Sequence, residues 1–277
     1  MSDITIGIIG GTGNMGRWFK DFFSGAGHTV LISGRKTTVS PLDMAKKSDV
    51  VILSVPLDVA IRLSEEIGPI LSRNQLLMDL CSLKETILKS MLRSTQAQVL
   101  GTHPLFGPFT DTIKGQNVIV CPGRGTKWLK WLEDELQAKG ALVTRTDPVT
   151  HDRNMAVVQG LTHLLTVCMA RTLQKMKMFP DEAMSCSTPV FKLKLNLIGR
   201  LFSQDPALYA SLIGANRHVE DVLATFMSAM DEAKESLLSS QEGGAMAFFD
   251  DIRGFLGEFC QDGLDESNKI LNKLYGK

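Results

Sequence analysis

The sequence has no surplus of either charge: Lys and Arg number 30, and so do Asp and Glu. A balanced chain has no electrostatic footprint for nucleic acid or for an anionic membrane, so any anion affinity has to come from local clusters. No apolar run approaches the roughly 20 residues that span a bilayer. The N-terminus enters a β-branched stretch with no basic lead and no apolar h-region, so neither a membrane span nor a signal peptide is expected. Cysteine is sparse. Cys81, Cys121, Cys168, Cys186 and Cys260 are odd in number and lack metal-ligand spacing. They are expected as small buried hydrophobes in a reducing cytoplasm, and no metal site is expected. Internal repeats and low-complexity segments are also absent. What remains is a chain of 277 residues with 44% hydrophobic content, long enough for two domains with their own cores.

The most informative stretch is Ile4–Gly16. An apolar, β-branched run ends in Gly11-Thr12-Gly13-Asn14-Met15-Gly16, and a helical pattern follows at once. Strand, glycine loop and helix in that order form the dinucleotide-binding fingerprint. Gly11 is expected to let the strand turn, Gly13 to let a pyrophosphate approach the backbone, and Gly16 to let helix and strand pack closely. Free N–H groups at the helix start would hold the phosphates. The second strand, Thr29–Ser33, runs into Gly34-Arg35-Lys36-Thr37. A site for NAD carries Asp or Glu at this strand end to accept from the ribose 2′-hydroxyl. Here Ser33, Arg35, Lys36 and Thr37 offer hydroxyls and cations, which suit a 2′-phosphate. The expectation is NADP, with NAD use possible.

The first half alternates short apolar strands with helical stretches: Asp49–Val55 before Pro56, Leu76–Leu80, Gln98–Thr102, Asn117–Cys121 and Ala141–Arg145 are strands. Repeated β–α units predict an α/β fold, a Rossmann-type doubly wound and mostly parallel sheet. Ligands of such sheets lie beyond the carboxyl ends of the strands, which puts the glycine loop, Val55-Pro56, Ser82 and His103 along one rim. No convincing strand follows Val149. The predicted organisation is a dinucleotide-binding domain over 1–148 and an all-α C-terminal domain over 149–277.

Several residues carry candidate chemistry. His103 follows a strand and is held between prolines in His103-Pro104-Leu105-Phe106-Gly107-Pro108. An imidazole there can take a hydroxyl proton during hydride transfer, or it is a capping or core histidine. Ser82 either orients His103 or caps the helix that follows. Lys84 is a solvated first-turn lysine or a cation aimed at a substrate carboxylate. His163, in Gln159-Gly160-Leu161-Thr162-His163, is a buried polar group facing a cleft or a helix-packing histidine. Arg200, alone in an apolar helix, requires an anion: a substrate carboxylate or an interdomain acid.

Together, the Gly-Gly-Thr-Gly-Asn-Met-Gly loop, Asp79-Leu80-Cys81-Ser82-Leu83-Lys84, the His103–Pro108 segment, His151-Asp152-Arg153-Asn154-Met155, Gln159–His163 and Gly199-Arg200-Leu201-Phe202-Ser203-Gln204-Asp205-Pro206 resemble the prephenate/arogenate dehydrogenases of tyrosine biosynthesis. The similarity runs in order along nearly the whole chain. No mutase domain is expected before Ile4. The resemblance implies oxidative decarboxylation of prephenate to 4-hydroxyphenylpyruvate with hydride transfer to NAD(P). It assigns His103 the 4-hydroxyl proton, Ser82 the orientation of His103, and Arg200 a substrate carboxylate. Lys84, His163 and Tyr209 match further substrate-side positions. The family also implies a homodimer through the helical half and a cytoplasmic enzyme. An arogenate enzyme, another Rossmann-type reductase, or a non-catalytic NADP-binding sensor are the competing expectations.

Overall fold

The computed structural model describes residues 4–238 and 243–276. The chain divides into two compact units, Met1–Met155 and Ala156–Lys277. The first unit therefore runs past the expected boundary at 148 by one helix, Pro148–Met155.

The first unit holds a seven-stranded sheet: β1 (Thr5–Ile9), β2 (Thr29–Ser33), β3 (Val50–Leu53), β4 (Leu76–Asp79), β5 (Gln98–Pro104), β6 (Asn117–Arg124) and β7 (Leu142–Arg145). Their order is β2-β1-β3-β4-β5-β6-β7. Every neighbouring pair is parallel except β5 with β6. β3 and β4 are buried at every position, as strands covered on both faces are, and only Asp79 at the end of β4 is not apolar.

Alternate residues of these strands feed two cores. Ile9, Val51, Leu53, Leu77 and Val99 pack with helices α2 (Pro41–Lys47), α3 (Leu57–Ile67) and α4 (Glu85–Ser94). Ile6, Ile8, Val50, Ile52, Met78 and Leu100 pack with α1 (Asn14–Gly25) and α5 (Lys127–Ala138). Local chemistry sets the helix starts. At α2 the Ser40 hydroxyl accepts from the Asp43 N–H at 3.0 Å and Pro41 occupies the first position.

The aromatic side chains concentrate on α1. Trp18 lies 4.9 Å from Phe106, and its indole N–H donates to the Thr110 carbonyl at 2.8 Å. The chain that follows His103 is thereby pinned to the helix that follows the glycine loop. α6 (Pro148–Met155) closes the first unit.

Among its described residues the second unit is helical: a π-helical turn over Ala156–Leu161, then α7 (Thr162–Lys175), α8 (Pro180–Ser185), α9 (Pro189–Phe202), α10 (Pro206–Gly214), α11 (Val219–Leu238), α12 (Gly244–Leu256) and α13 (Phe259–Tyr275).

One composition-based expectation needs correction. Cys81 and Cys121 are buried, but Cys168, Cys186 and Cys260 are exposed. Exposure follows from their places on unburied helix faces in the second unit. Among the described residues one helical run, Pro148–Lys175, is long and apolar enough to cross a membrane by length and composition, with a mean hydropathy of 1.2. The apolar positions within it are spaced by Gln159, Thr162 and His163, which is why no continuous run is visible in the sequence.

The sharp turn at the end of β1 belongs to Gly10, not Gly11. Gly10 has φ +85°, and a Cβ there would lie 2.1 Å from the Ser54 carbonyl oxygen. Both conditions exclude a side chain. Gly10→Ala is expected to destabilise the chain by more than about 1 kcal/mol, read as a fall in melting temperature. An unchanged melting temperature would show that the loop relaxes freely.

Candidate active site

The carboxyl ends of the parallel strands carry the candidate groups along one rim. At the left is the glycine loop. Gly16 has to lack a Cβ because it packs against Gly10, whose carbonyl oxygen would lie 2.3 Å away. At Gly13 a Cβ would meet the Gly10 carbonyl oxygen tightly, at 3.2 Å, and no other atom within 4 Å. The start of α1 has no side-chain cap, so its first N–H groups point outward without a protein acceptor from a capping residue. An uncapped helix start behind a cradle that a side chain would fill fits a pyrophosphate. Thr12, Asn14 and Met15 lie in this loop, and Val55 and Pro56 lie beside it, with Val55 Cγ1 2.7 Å from where a Gly10 Cβ would be.

The end of β2 differs from expectation in two of four residues. The Ser33 side chain is buried and its hydroxyl donates to the Val39 carbonyl at 2.9 Å. The Thr37 hydroxyl accepts from Gly34 N–H at 2.9 Å and donates back to the Gly34 carbonyl at 2.9 Å. Both hydroxyls close the turn, so they are engaged by backbone groups and not held out for a ligand. Arg35 and Lys36 are exposed.

At the centre of the rim sits His103, 3% exposed, just beyond Gly101, the last residue of β5 paired with β4. Its Nδ1 lies 3.0 Å from Nε2 of His151 on α6. The Nδ1 of His151 lies 2.7 Å from the Asp152 carboxylate. That carboxylate also accepts the backbone N–H groups of Lys84 at 2.8 Å and Glu85 at 3.0 Å, the start of α4. Asp152 thus caps α4 from another element while it orients His151. An anion at a helix N-terminus is favoured by the helix dipole as well as by the hydrogen bonds. The neighbour on His103 Nδ1 is therefore His151, and α4 takes its cap from Asp152, not from Ser82. Sequence reasoning missed His151 and Asp152 as partners of His103. The signal was the adjacent His-Asp pair in a motif quoted only for its resemblance. Burial first, then the Lys84 cation and His151, hold the His103 imidazole well below the ordinary histidine range. It is therefore neutral at physiological pH and can accept a proton.

Lys84 is neither solvated nor aimed at a ligand. It is fully buried, ion-paired to Asp79 at the end of β4, and it donates to the Thr102 carbonyl at 2.8 Å. The Thr102 hydroxyl donates in turn to the Asp79 carbonyl. The pair ties the ends of β4 and β5 together directly behind His103. Burial raises the Asp79 carboxyl and Lys84 opposes that shift. Asp79 Oδ1 has no hydrogen-bond partner among the described residues. Cys81, for which the sequence offered no role, is a packed hydrophobe: burial pushes its thiol up well above the usual range, away from thiolate reactivity.

In the second unit, His163, Tyr209 and Arg200 come together. The His163 ring meets the Tyr209 ring edge-on at 4.9 Å. Gln204 donates from Nε2 to the Tyr209 hydroxyl at 2.8 Å and to the Arg200 carbonyl at 3.0 Å. Burial raises the Tyr209 phenol, with the Arg200 charge opposing, and burial lowers His163.

A phosphate cradle and a neutral, oriented imidazole on one rim of a parallel sheet define a dinucleotide-dependent oxidoreductase. Comparison with known sequences narrows that class. Residues 30–145 match the family described as prephenate dehydrogenase, nucleotide-binding domain. Residues 147–250 match prephenate dehydrogenase, dimerization domain. A probable arogenate/prephenate dehydrogenase of Methanocaldococcus jannaschii is 31% identical over 305 residues, covering 100% of this chain and 68% of that protein. The T-protein of Haemophilus influenzae is 33% identical, covering 98% and 72%. The chain belongs to the prephenate/arogenate dehydrogenase family of NAD(P)-dependent oxidoreductases. The fold is that of solved relatives. Prephenate dehydrogenase from Aquifex aeolicus in complex with hydroxyphenyl propionate and NAD+ superposes with a TM-score of 0.73 at 20% identity, over 91% of this chain and 97% of that one. Arogenate dehydrogenase from Synechocystis gives 0.73 at 16% identity, over 91% and 98%.

Removing one partner of the buried pair should cost far more than removing both. Lys84→Met leaves Asp79 uncompensated and is expected to lose about 3–5 kcal/mol, whereas Asp79→Leu with Lys84→Met should lose much less. Urea unfolding of the two variants checks this; equal losses would mean that the charges contribute nothing beyond volume.

Proposed function

We propose that this chain oxidises and decarboxylates prephenate to 4-hydroxyphenylpyruvate, with NADP as hydride acceptor. The observation that carries the reading is the His103–His151–Asp152 line, at the carboxyl end of the same parallel sheet as the glycine loop. A bound nicotinamide supplies a hydride acceptor. The chain's own part is proton handling and charge recognition. His103, neutral in the resting site, accepts the proton of the substrate's 4-hydroxyl as hydride leaves the carbon that bears it. His151 and Asp152 spread and orient the positive charge that His103 gains. The ring carboxylate departs as CO2, its bonding electrons completing the aromatic ring, and His103 returns the proton to the phenolic oxygen. The residues present fit the cofactor: the open Gly13 cradle and uncapped α1 take the pyrophosphate, and the exposed Arg35 and Lys36 take a 2′-phosphate.

Arg200, His163 and Tyr209 are read as substrate-binding groups, the arginine for a carboxylate. Lys84, committed to Asp79, is read as support for His103. Ser82, in the loop between β4 and α4, is read as a further group orienting His103. Residues 1–148 would serve the cofactor and 149–277 the substrate and a homodimer. Exposed Phe249, Phe255 and Phe259 on the C-terminal helices support self-association through the helical part. Free cysteines at the surface suit a cytoplasmic setting. Arogenate is the second reading, because the relative in M. jannaschii carries both substrates in its name. A steady-state assay crossing prephenate and arogenate with NADP+ and NAD+ decides among the four combinations.

Two outcomes are expected of that assay and its variants. His103→Asn should lower kcat by about 10²–10⁴ with NADP affinity retained; an unchanged kcat would remove His103 from proton transfer, whereas a parent chain that binds NADP+ without turnover would favour a sensor. The second concerns pH. Since the His103 imidazole is held below its ordinary 6.5, kcat/KM should stay level as pH falls through 6.5 and decline only below it. An acid limb centred above 6.5 would mean that His103 is not the group that must be neutral.

A further inference from the structure

The end of β2 and the glycine loop are clamped against each other. The Ser33 carbonyl accepts from both Gly10 N–H at 2.8 Å and Gly11 N–H at 3.2 Å. The Thr12 carbonyl is held by Arg17 Nε at 2.8 Å. Between these two clamps the Thr12 side chain lies over Gly34. A Cβ on Gly34 would meet Thr12 Oγ1 at 2.5 Å, Cγ2 at 3.2 Å and Cβ at 3.4 Å. The first distance is one that real side chains do not adopt, and the last is ordinary contact. Gly34 is not among the glycines with positive φ, so its backbone conformation does not call for glycine. The demand comes from the neighbour alone. Thr12 is β-branched, with few alternatives at χ1, and its backbone is pinned, so it has little room to yield.

Position 34 is the first residue past β2, where a dinucleotide site carries the carboxylate that accepts from a ribose 2′-hydroxyl. We propose that Thr12 is a specificity-determining residue, its side chain filling the space that an acidic side chain at position 34 would need. The chain then has no 2′-hydroxyl acceptor to offer, and the 2′ position is left to Arg35 and Lys36, which select a nucleotide bearing a 2′-phosphate. This rests on the NADP reading above and adds a consequence: a carboxylate installed at position 34 cannot work unless Thr12 is cut back first. Thr12→Ala removes the atoms at 2.5 and 3.2 Å and keeps the one at 3.4 Å.

The test is titration calorimetry of NADP+ and NAD+ on the full chain without substrate. The proteins are the parent, Gly34→Asp, Thr12→Ala and the double variant, with Gly34→Ala and Thr12→Ala/Gly34→Ala as a charge-free pair. Gly34→Asp is expected to weaken both nucleotides about tenfold or more, and the double variant to bind NAD+ about tenfold more tightly than Gly34→Asp does. The alanine pair should show the same rescue on a smaller scale. Melting temperatures accompany each titration; a Gly34→Asp protein that melts early and is rescued by Thr12→Ala also supports the clash. Gly34→Asp binding NAD+ as well as the double variant, or strictly additive effects in both pairs, would overturn the proposal. Tighter binding of NAD+ than of NADP+ by the parent would overturn the cofactor reading separately, leaving the coupling between positions 12 and 34 to decide the steric claim.

Discussion

One carboxylate does two things on which the catalytic rim depends. Asp152 receives the first two N–H groups of α4 and the ring of His151 at once. The helix start needs an anion there, because α4 has no cap of its own and begins at a buried lysine. The imidazole needs one there, because a His151 tied to a carboxylate holds a fixed tautomer and presents a defined nitrogen to His103. Satisfying a helix end and orienting an imidazole with the same two oxygens places α4, α6 and β5 in one network. It also explains why α6 belongs to the first compact unit although its sequence begins after the Asp147-Pro148 punctuation.

The charges around His103 have a consistent sense. A cation on Lys84 close to a buried imidazole resists a second positive charge, so it favours the neutral ring. Asp79 neutralises Lys84 locally without reaching His103 as strongly, because it stands at the end of β4 and the lysine chain spans towards β5. The buried pair therefore costs desolvation but leaves an asymmetric field at the base. Such a field is internal, and a net charge of zero is compatible with it. The glycine loop has an equivalent logic in backbone terms, with Ser33 offering one carbonyl to two loop N–H groups, so that strand end and loop form one rigid piece.

Much of the first unit was legible in the sequence because its signals are local. Strand, loop and helix follow each other within Thr5–Gly25, β3 is apolar throughout, and β4 is apolar up to its last residue, Asp79. His103 was legible as a chemical group from its place after a strand. Its partner was not, because the contact joins residues 48 apart on a strand and a helix, and nothing in spacing reports that. Lys84 was misread for the same reason. A first-turn lysine looks solvated in one dimension, and only the approach of Thr102 and Asp79 from neighbouring strands makes it a core group. Ser33 and Thr37 were misread through their chemistry: a hydroxyl near a cation suggests a phosphate, yet short polar side chains in turns commonly bond their own backbone.

The glycines carry a different lesson. The fingerprint assigns one task to each glycine in order, but the structure distributes them by contact. Gly10 takes the positive φ, Gly16 takes the closest approach to Gly10, and Gly13 meets only the Gly10 carbonyl oxygen. Gly34 stands outside the fingerprint and still cannot carry a side chain, because Thr12, inside it, occupies the volume. A motif read as a string separates these two positions by a helix and a strand. Physically they are one contact, and a change at either end changes what the other can be. The space at the end of β2 is therefore a property of the pair, set as much by the glycine loop as by the strand.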